Sequence, residues 1–443
     1  MLALLHNQTD FYNRTTLHPV GFTVVLLLGM LVLGAPRKFA ALPMLIMACS
    51  VAPAQRIVIG TLDFNMMRIM VLFGWLRLVS RGEYRGLRWC SADTALVAWS
   101  VIAMLAFTFL NGTVGALVNR LGRTYDFVGM YLSLRCVIRD WKDFQVLITG
   151  ALILSIPSFV AFLVEKQTGR NVFAFLGGVP ETTKVREGSF RCQGPFPHPI
   201  LAGSFWASLV PLAIAYWWKR GGRGLAVVGV PLMIGIVIMS ASSTPVGGVA
   251  AGFFATWMFR FRRQMPVIRW SVVGVLTVLH FAMQAPVWHL ISRIDLVGGS
   301  TGYHRYNLVN QTILRFDQWW LFGVKSTRSW GYNLNDTANQ YVQEAVNGGL
   351  GGLVAFVVVL GLAFRNIGRL WRRVRFDRAK LRMAWGLAAA LFAQAVMFIA
   401  ISISYSQQNL LALNIVLAGI TSLSMARVRR PARMMPRPAR AAA

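Results

Sequence analysis

The chain has 443 residues, of which 56% are hydrophobic and 14% are charged, and its formal net charge is +30. A soluble protein of this length needs a larger charged surface, so this composition excludes a soluble globular fold. The basic residues form short clusters beside apolar runs, as they do in the cytoplasmic loops of membrane proteins. We therefore expect contact with anionic lipid and no binding of nucleic acid. The clusters lie at 37–38, 219–223, 260–269, 365–382 and 427–440.

Apolar runs recur along the chain, and each approaches the length that crosses a bilayer core of about 30 Å. They predict an all-α, polytopic integral membrane protein with about 12 to 13 transmembrane helices. Two of the runs, 64–80 and 117–137, carry arginines, which indicates that they face the bundle interior or an aqueous cavity, or lie partly outside the membrane core. The predicted spans are 20–35, 39–55, 64–80, 94–111, 117–137, 145–164, 199–218, 225–241, 245–260, 270–287, 349–364, 384–403 and 408–425.

Two long polar intervals separate the apolar runs, one at 165–198 and the other at 288–348. If the basic clusters are cytoplasmic, both intervals lie on the opposite, extracytoplasmic face. We expect one membrane domain over residues 1–426, with these two intervals as its large outer loops. Residues 427–443 are rich in arginine, proline and alanine and are predicted to form a disordered cytoplasmic tail.

The first polar interval ends in a proline-rich segment that holds Arg186, Arg191 and His198. Proline fixes φ and removes backbone donors, so this segment is expected to be stiff. A stiff loop at a membrane surface can hold an anion, and the planar guanidinium group of arginine binds phosphate oxygens in pairs. The alternative is that Arg186 and Arg191 are ordinary interfacial arginines whose charged groups reach the lipid headgroups.

The second polar interval carries most of the other polar side chains that could take part in chemistry. The apolar residues of segment 302–316 have helical spacing, and His304 and Arg305 lie near its start. The segment from Asp336 onward predicts a second helix that enters the membrane, with Asp336 as its N-cap. The candidate residues of this interval are Arg293, His304, Arg305, Asp336, Asn339, Tyr341 and Glu344.

Several familiar sequence signatures are absent. The chain has no Walker motif, no HExxH and no CxxC, and the long intervals lack the paired acidic residues that seat a divalent cation. Of the four cysteines only Cys192 lies in a predicted outer loop, so no structural disulfide is expected. The candidate site is therefore predicted to be rich in arginine and histidine and to need neither a metal nor a cofactor. That chemistry suits an anionic leaving group such as a lipid diphosphate.

The segments FRCQGPFPHPILAG and NDTANQYVQEAVNGGLGG resemble the O-antigen ligase and polysaccharide polymerase superfamily of membrane proteins. The early segment APAQRIVIGTLDFNMMRIMVLFGWLRLVSRG is similar to members tied to exopolysaccharide assembly. The resemblance implies a membrane glycosyltransferase of the GT-C type in a bacterial inner membrane, with its site on the periplasmic face. The implied donor is an undecaprenyl-diphosphate-linked glycan, and the implied acceptor is another lipid-linked glycan or a lipid A core. Other polysaccharide assembly proteins are implied as partners.

The resemblance also implies roles for individual residues. Arg191 matches the arginine before the family's Gly-Phe-(His/Asn)-Pro element, and His198 matches its His/Asn position. Arg305 matches the arginine that opens the first helix of the long loop. Asn339 and Tyr341 match the last two fixed residues of a His-Asn-x-Tyr element.

Two positions depart from the family pattern. The histidine of the His-Asn pair is Ala338, and the segment SASSTPVGG stands where an arginine of a Ser-Arg-Gly element is expected. His304 or Asp336 would then have to deprotonate or orient the acceptor hydroxyl, unless the reaction needs no strong base. Arg293 or Arg186 would supply the missing positive charge. Both departures favour an exopolysaccharide polymerase over a strict O-antigen ligase.

The sequence leads to one hypothesis and two alternatives. In the hypothesis, Arg191 and Arg305 neutralise the diphosphate of a lipid-linked glycan, and Arg186 and Arg293 assist. The first alternative is a transporter or flippase, which would place substrate-coupling groups near the bilayer midplane. The second is a non-catalytic subunit of a polysaccharide assembly machine, because Ala338 replaces the family histidine.

Overall fold

The computed structural model describes residues 15–60, 62–293, 302–404 and 406–426. Two short β-hairpins accompany the helices; their strands are β1 (Arg56–Ile59), β2 (Leu62–Asn65), β3 (Lys184–Arg186) and β4 (Ser189–Arg191). The helices are α1 (Pro19–Gly34), α2 (Leu42–Ser50), α3 (Met66–Ser80), α4 (Ser91–Asn111), α5 (Val114–Thr124), α6 (Met130–Val137), α7 (Trp141–Thr168), α8 (Pro199–Tyr216), α9 (Arg223–Met239), α10 (Ser243–Trp257), α11 (Met265–Ala282), α12 (Gly302–Leu314), α13 (Phe316–Trp319), α14 (Gln340–Arg373), α15 (Arg378–Met397) and α16 (Gln407–Met425).

The structure is 74% helical, and six of the described helices are long and apolar enough to cross a membrane. These features indicate an all-α, multi-pass membrane protein. Every predicted span coincides with a helix, but α2 has only nine residues, which is too short to cross a bilayer core alone. The count of 12 to 13 spans therefore stays a prediction. The six long apolar helices are α4, α7, α8, α11, α14 and α16.

Arg68 and Asp126, which come from the two arginine-bearing spans 64–80 and 117–137, form an ion pair within the helix bundle. Arg68 donates to both carboxylate oxygens of Asp126, at 2.7 and 2.9 Å. Arg135 and Asp93 form a second ion pair at 2.9 Å, and both side chains are almost completely buried. A buried charge is tolerated only when it is paired and hydrogen-bonded, so these arginines hold helices together. A π-helical turn at Tyr125–Gly129 joins α5 to α6 and carries Asp126.

Connections between helices fall at two opposite ends of the bundle. At one end, Arg37 bonds to the carbonyl oxygen of Val137 and to the carboxylate of Asp143. At the other end, the Gln55 amide bonds to the carbonyl oxygen of Leu176, which lies in the first polar interval. The second polar interval reaches this same end, because its Arg305 bonds to Thr244 in the first turn of α10. The two long intervals therefore lie together, as the charge pattern predicts.

The first polar interval is held in one conformation by a buried carboxylate. Glu165, near the end of α7, accepts hydrogen bonds from the backbone amides of Gln193 and Gly194 and from the hydroxyl of Thr183. Gly194 has a φ of +55°, and a Cβ there would come within 2.4 Å of the Phe162 ring. The loop that carries Arg191 and His198 is therefore fixed at its base.

The second polar interval builds a small apolar core of its own. The buried residues of this core come from α12, α13, the loop after α13 and the start of α14; they are Leu308, Trp319, Trp330, Leu334, Val342, Ala345 and Val346. The prediction of Asp336 as N-cap of α14 is wrong. Asn339 is the N-cap, and its side chain accepts a hydrogen bond from the backbone amide of Val342. A break at Gly349, where φ is +63°, then divides α14 into a polar first part and a long apolar second part.

Candidate functional site

Two arginines from different loops meet at the amino end of α10. The Nη2 atom of Arg191 donates to the Oγ of Ser242 at 2.7 Å, and the Nη2 atom of Arg305 donates to the Oγ1 of Thr244 at 2.9 Å. Ser242 is the N-cap of α10, and its side chain makes no capping bond. The amino end of a helix carries a partial positive charge and unpaired amide groups, so three positive features converge here. We call this arrangement of Arg191, Arg305 and residues 242–244 the arginine site.

The β3–β4 hairpin adds further positive charge to the arginine site. Lys184 is the direct cross-strand partner of Arg191, and Arg186 lies on the same face of the hairpin two residues later. Burial and the neighbouring Arg191 charge lower the pKa of Lys184. Burial and the Arg186 charge likewise lower the pKa of Arg191. Cations that are partly buried and repel one another favour the binding of an anion between them.

One donor of Arg191 is buried and has no hydrogen-bond partner within the described part of the chain. This atom is Nε, whereas Nη2 bonds to Ser242. A buried guanidinium N–H without a partner costs folding free energy, because it has lost its water. A bound ligand with an oxygen acceptor would remove this cost. The geometry of Arg191 therefore fits phosphate recognition.

His198 lies beside the arginine site as the N-cap of α8. Its Nδ1 accepts a hydrogen bond of 3.2 Å from the backbone amide of Ile200, so the proton of the neutral ring is on Nε2. Burial lowers the pKa of His198 to about 3, and the charges of Arg191 and Lys184 act in the same direction. His198 is therefore a neutral hydrogen-bond donor near neutral pH, and it is a poor candidate for a base.

The fold brings together His304 and Asp336, which are the candidate bases among the three predicted catalytic residues His304, Asp336 and Arg305. The Nε2 atom of His304 lies 3.4 Å from the backbone carbonyl oxygen of Asp336. Burial raises the pKa of the Asp336 carboxyl group, and His304 opposes this effect. Because His304 precedes Arg305 on α12, the pair stands next to the arginine site.

Asn339 and Tyr341 make contacts that fix helices in place. Asn339 caps α14 and also donates a hydrogen bond of 3.0 Å to the carbonyl oxygen of Ile399. The hydroxyl of Tyr341 donates to the carbonyl oxygen of Ala395, also at 3.0 Å. These bonds tie α14 to the end of α15. Both residues therefore have a role in helix packing, and their role in substrate binding stays a prediction.

The two proposed helper arginines are exposed. Arg186 forms an ion pair of 3.6 Å with Glu187 at the tip of the hairpin. Arg293 ends a 3₁₀-helical turn at Val287–Arg293, just before residues 294–301, which lie outside the described chain. Arg186 acts electrostatically on Arg191, so it contributes to the arginine site from a short distance.

A cavity of about 700 Å³ lies next to the arginine site, and the sequence did not predict it. Lys184, Gln193 and Pro197 of the first interval line one side of it. The other walls come from α3, α4, α5, α14 and α16 and include Arg68, Asp126 and Glu344. The arginines inside spans 64–80 and 117–137 are the sequence signal for this cavity, because a cavity is one of the places where charges within a membrane span are tolerated.

Comparison with known proteins gives no family for this chain. No protein-family model matches the sequence, and no curated protein matches it significantly. Among the described residues no group of three histidine, cysteine or acidic side chains is arranged to hold a metal ion. The metal-free reaction stays a prediction.

Proposed function

We propose that this protein is a membrane glycosyltransferase that transfers or polymerises a glycan linked to undecaprenyl diphosphate. The reaction would take place on the periplasmic face of a bacterial inner membrane, during exopolysaccharide or O-antigen assembly. The observation that carries the proposal is the meeting of Arg191 and Arg305 at residues 242–244. Two polar loops that are distant in sequence thereby form one cationic site at the end of a helix bundle.

The arginine site suits the leaving group of such a transfer. When the bond between the sugar and the diphosphate breaks, negative charge accumulates on the departing lipid diphosphate. Preorganised cations stabilise this charge without having to reorganise during the reaction. Arg191, Arg305 and Lys184 would bind the two phosphates, and the amino end of α10 would add its dipole. His304 or Asp336, beside Arg305, would orient or deprotonate the acceptor hydroxyl.

Three observations bear on the choice among related functions. Ala338, in place of the family histidine, favours a polymerase over an O-antigen ligase. Arg68 and Asp126, two buried charges of the helix bundle, form an ion pair, which argues against the mobile coupling groups of a transporter. The cavity, however, is a feature that a transporter would share. We therefore propose the polymerase as the main function and design the test to separate it from transport.

The test uses purified protein reconstituted in lipid vesicles with a lipid-linked oligosaccharide donor. Longer glycan chains together with released lipid diphosphate support the enzyme. Transfer of the donor across a vesicle membrane without bond cleavage would indicate a transporter, and neither result would indicate an assembly subunit.

The site is then tested by replacing Arg191 and Arg305 singly with alanine. Each variant should lose a factor of at least about 100 in polymer formation, because an oxyanion-stabilising group is removed. Arg328→Ala is the matched control, since Arg328 is an exposed arginine in the same long interval. Chain lengths equal to those of the wild type in both site variants would refute the assignment.

A further inference from the structure

A group of arginines lies at the end of the bundle opposite the arginine site. Helices α8 and α10 begin beside the arginine site, and their far ends lie next to the start of α15. Two of these arginines belong to the first turns of α15, and one follows the end of α10. We call Arg262, Arg378 and Arg382, together with the rings of Trp218 and Phe259, the basic aromatic patch.

Arg382 lies against two aromatic rings. Its guanidinium carbon is 4.4 Å from the centroid of the Trp218 ring and 3.9 Å from that of the Phe259 ring. Phe259 is buried and packs edge-on against Trp385, with the ring centroids 5.6 Å apart. Stacking holds the plane of a guanidinium group but leaves its N–H donors at the edge of that plane. Arg382 is therefore a fixed cation whose donors can reach a ligand.

Two further arginines bring positive charge to the same place. The guanidinium carbon of Arg262 is 4.5 Å from the centroid of the Phe259 ring, and its Nη1 donates to the Phe259 carbonyl oxygen at 3.2 Å. Arg378 lies one helical turn before Arg382, so both share a face of α15. Burial and the charges of Arg262 and Arg378 lower the pKa of Arg382, which precedes the predicted span 384–403. An anion between these cations would remove their mutual repulsion.

Carboxylates of the described chain do not neutralise the patch. Asp377 is next to Arg378 in the sequence, but its side chain pairs with Lys380 at 2.8 Å and caps α15. No ion pair among the described residues includes an arginine of the patch. The patch differs in this respect from Arg68 and Arg135, which are paired inside the bundle. Its charge is left for a partner outside the chain.

The surroundings of the patch are those of a bilayer interface. Trp217 and Trp218 at the end of α8 and Trp257 at the end of α10 are exposed on the surface of the bundle. Tryptophan is enriched where lipid headgroups meet acyl chains. A free anion would make no use of these indole rings. A phospholipid would, because its phosphate can bind the arginines while its acyl chains lie along the indoles.

We propose that the basic aromatic patch binds the headgroup of an anionic phospholipid, with the phosphate oxygens on Arg262, Arg378 and Arg382. Phosphatidylglycerol has this chemistry, since its phosphate carries a net negative charge. Phosphatidylcholine has the same phosphate, but three nearby cations repel its ammonium group. The bound lipid joins the ends of α8, α10 and α15 on the side of the membrane away from the arginine site. The inference does not depend on the proposed function.

Lipid binding is tested by thermal unfolding of the full-length protein in two kinds of nanodisc. One contains phosphatidylcholine alone, and the other contains equal parts of phosphatidylcholine and phosphatidylglycerol. The wild type should unfold at a higher temperature with phosphatidylglycerol, because a ligand that binds the folded state stabilises it. The double variant Arg262→Gln/Arg382→Gln should lose most of this increase. If the arginines only pack against the rings, the variant loses the same stability in both nanodiscs, and that result would overturn the proposal.

The double variant Arg85→Gln/Arg88→Gln is the matched control. Both residues are exposed arginines in the connection between α3 and α4, at the same end of the bundle. Arg85 also lies over an aromatic ring, 5.9 Å from the centroid of Tyr84. The control removes the same charge, so it should keep the response to phosphatidylglycerol that the patch variant loses. An equal loss in both variants would show a general charge effect and contradict a specific site.

Photolabelling locates the lipid on the wild-type protein even if the patch variant does not fold. The probe is phosphatidylglycerol with a photoactivatable diazirine group in its acyl chain near the headgroup, and the matching phosphatidylcholine is the reference. We expect about tenfold more label from phosphatidylglycerol on residues 217–218 and 257–261, as for the loss of one to two charge contacts in the reference. Equal labelling by the two lipids would refute the site.

Two other ligands of the patch are separated by the same unfolding experiment. Inorganic phosphate and a single-stranded RNA are added in turn to wild-type protein in phosphatidylcholine nanodiscs. Neither should reproduce the stabilisation by phosphatidylglycerol, because neither places an acyl chain against the exposed indoles. Full stabilisation by phosphate would indicate a site for a free anion, and full stabilisation by RNA would indicate a nucleic-acid surface. Either result would overturn the assignment to a lipid.

Discussion

Arg191 and Ser242 are 51 residues apart in the sequence, and a hydrogen bond of 2.7 Å joins the guanidinium Nη2 to the serine Oγ. The bond links the hairpin of the first polar interval to the N-cap of α10. The similar bond from Arg305 to Thr244 brings the second interval to the same short segment. Residues 242–244 thus set the spacing between two cations, although their own side chains are neutral.

Removal of these hydroxyl acceptors should weaken donor binding without removing any charge. Thr244→Val keeps the shape of the side chain but cannot accept the bond from Arg305. We expect affinity for the lipid diphosphate to fall by about tenfold, the size of effect expected for a hydrogen bond to a charged group. The measurement is a binding titration with undecaprenyl diphosphate. Thr256→Val, near the other end of the same helix, should bind like the wild type, and equal loss in both would contradict the prediction.

Replacement of Lys184 by methionine should change stability and binding in opposite directions. Lys184 and Arg191 repel each other in the empty site, and burial adds to the cost of both charges. The variant should therefore unfold at a higher temperature than the wild type. Its affinity for lipid diphosphate should fall by about tenfold, because a phosphate-binding cation is lost.

Thermal unfolding with and without lipid diphosphate measures both effects of the Lys184 substitution. Lys325→Met, an exposed lysine of the second interval, is the control and should change neither quantity. A variant that is both less stable and normal in binding would show that Lys184 only supports the loop.

His198 should make the stability of the protein depend on pH. Its pKa is about 3 in the folded protein, compared with 6.5 for an unperturbed histidine. The unfolded chain therefore binds more protons than the folded protein between these values, so stability falls as pH decreases from about 6.5 towards 3. Protonation would also abolish the cap that Nδ1 provides to Ile200. His198→Asn keeps a capping group and should remove this contribution.

Thermal unfolding at pH 7 and pH 5 checks the prediction for His198. The wild type should lose more stability than His198→Asn between pH 7 and pH 5. The difference between the two losses is the contribution of His198. Parallel losses in the two proteins would contradict it.

Gly349→Ala should destabilise the contact between the second polar interval and the break in α14. Gly349 has a φ of +63° and a ψ of −166°, and a Cβ there would lie 2.4 Å from the carbonyl oxygen of Leu321. We expect a loss of about 1–3 kcal/mol from backbone strain alone, and the clash adds to it. Gly361→Ala, farther along the same helix, has open space around the new methyl group and should be neutral or stabilising. Equal unfolding temperatures for the two variants would contradict the prediction that the backbone conformation at position 349 requires glycine.

The sequence was sufficient to locate the helices and to predict that the two polar intervals lie at the same end of the bundle. Apolar length and charge bias are local properties, so a single chain reveals them. The N-cap of α14 could not be chosen this way, because Asp336 and Asn339 are both good capping residues. Tertiary contacts select Asn339, since the neighbouring amide of Gln340 bonds to the carbonyl oxygen of Phe398.

The cavity could not be predicted for a similar reason. Its walls depend on pairs such as Arg68 and Asp126, which are 58 residues apart, and periodicity within one helix does not encode such a pairing. Glu344 and Trp99 are 245 residues apart and meet only when α14 packs against α4. Charged residues inside apolar runs indicated that some polar interior exists, but not where it lies.

The helices α11 and α16 differ completely in how much of their surface other parts of the protein cover. The described structure buries no residue of α11, whereas 89% of the apolar window of α16 is buried. Any apolar side chain satisfies a helix that faces lipid on every side, but a helix inside the bundle must fit each neighbour. In a saturation-mutagenesis experiment that selects for polymer production, α11 should accept most apolar replacements. Replacements within α16 should be rejected at most positions, even when they conserve hydrophobicity.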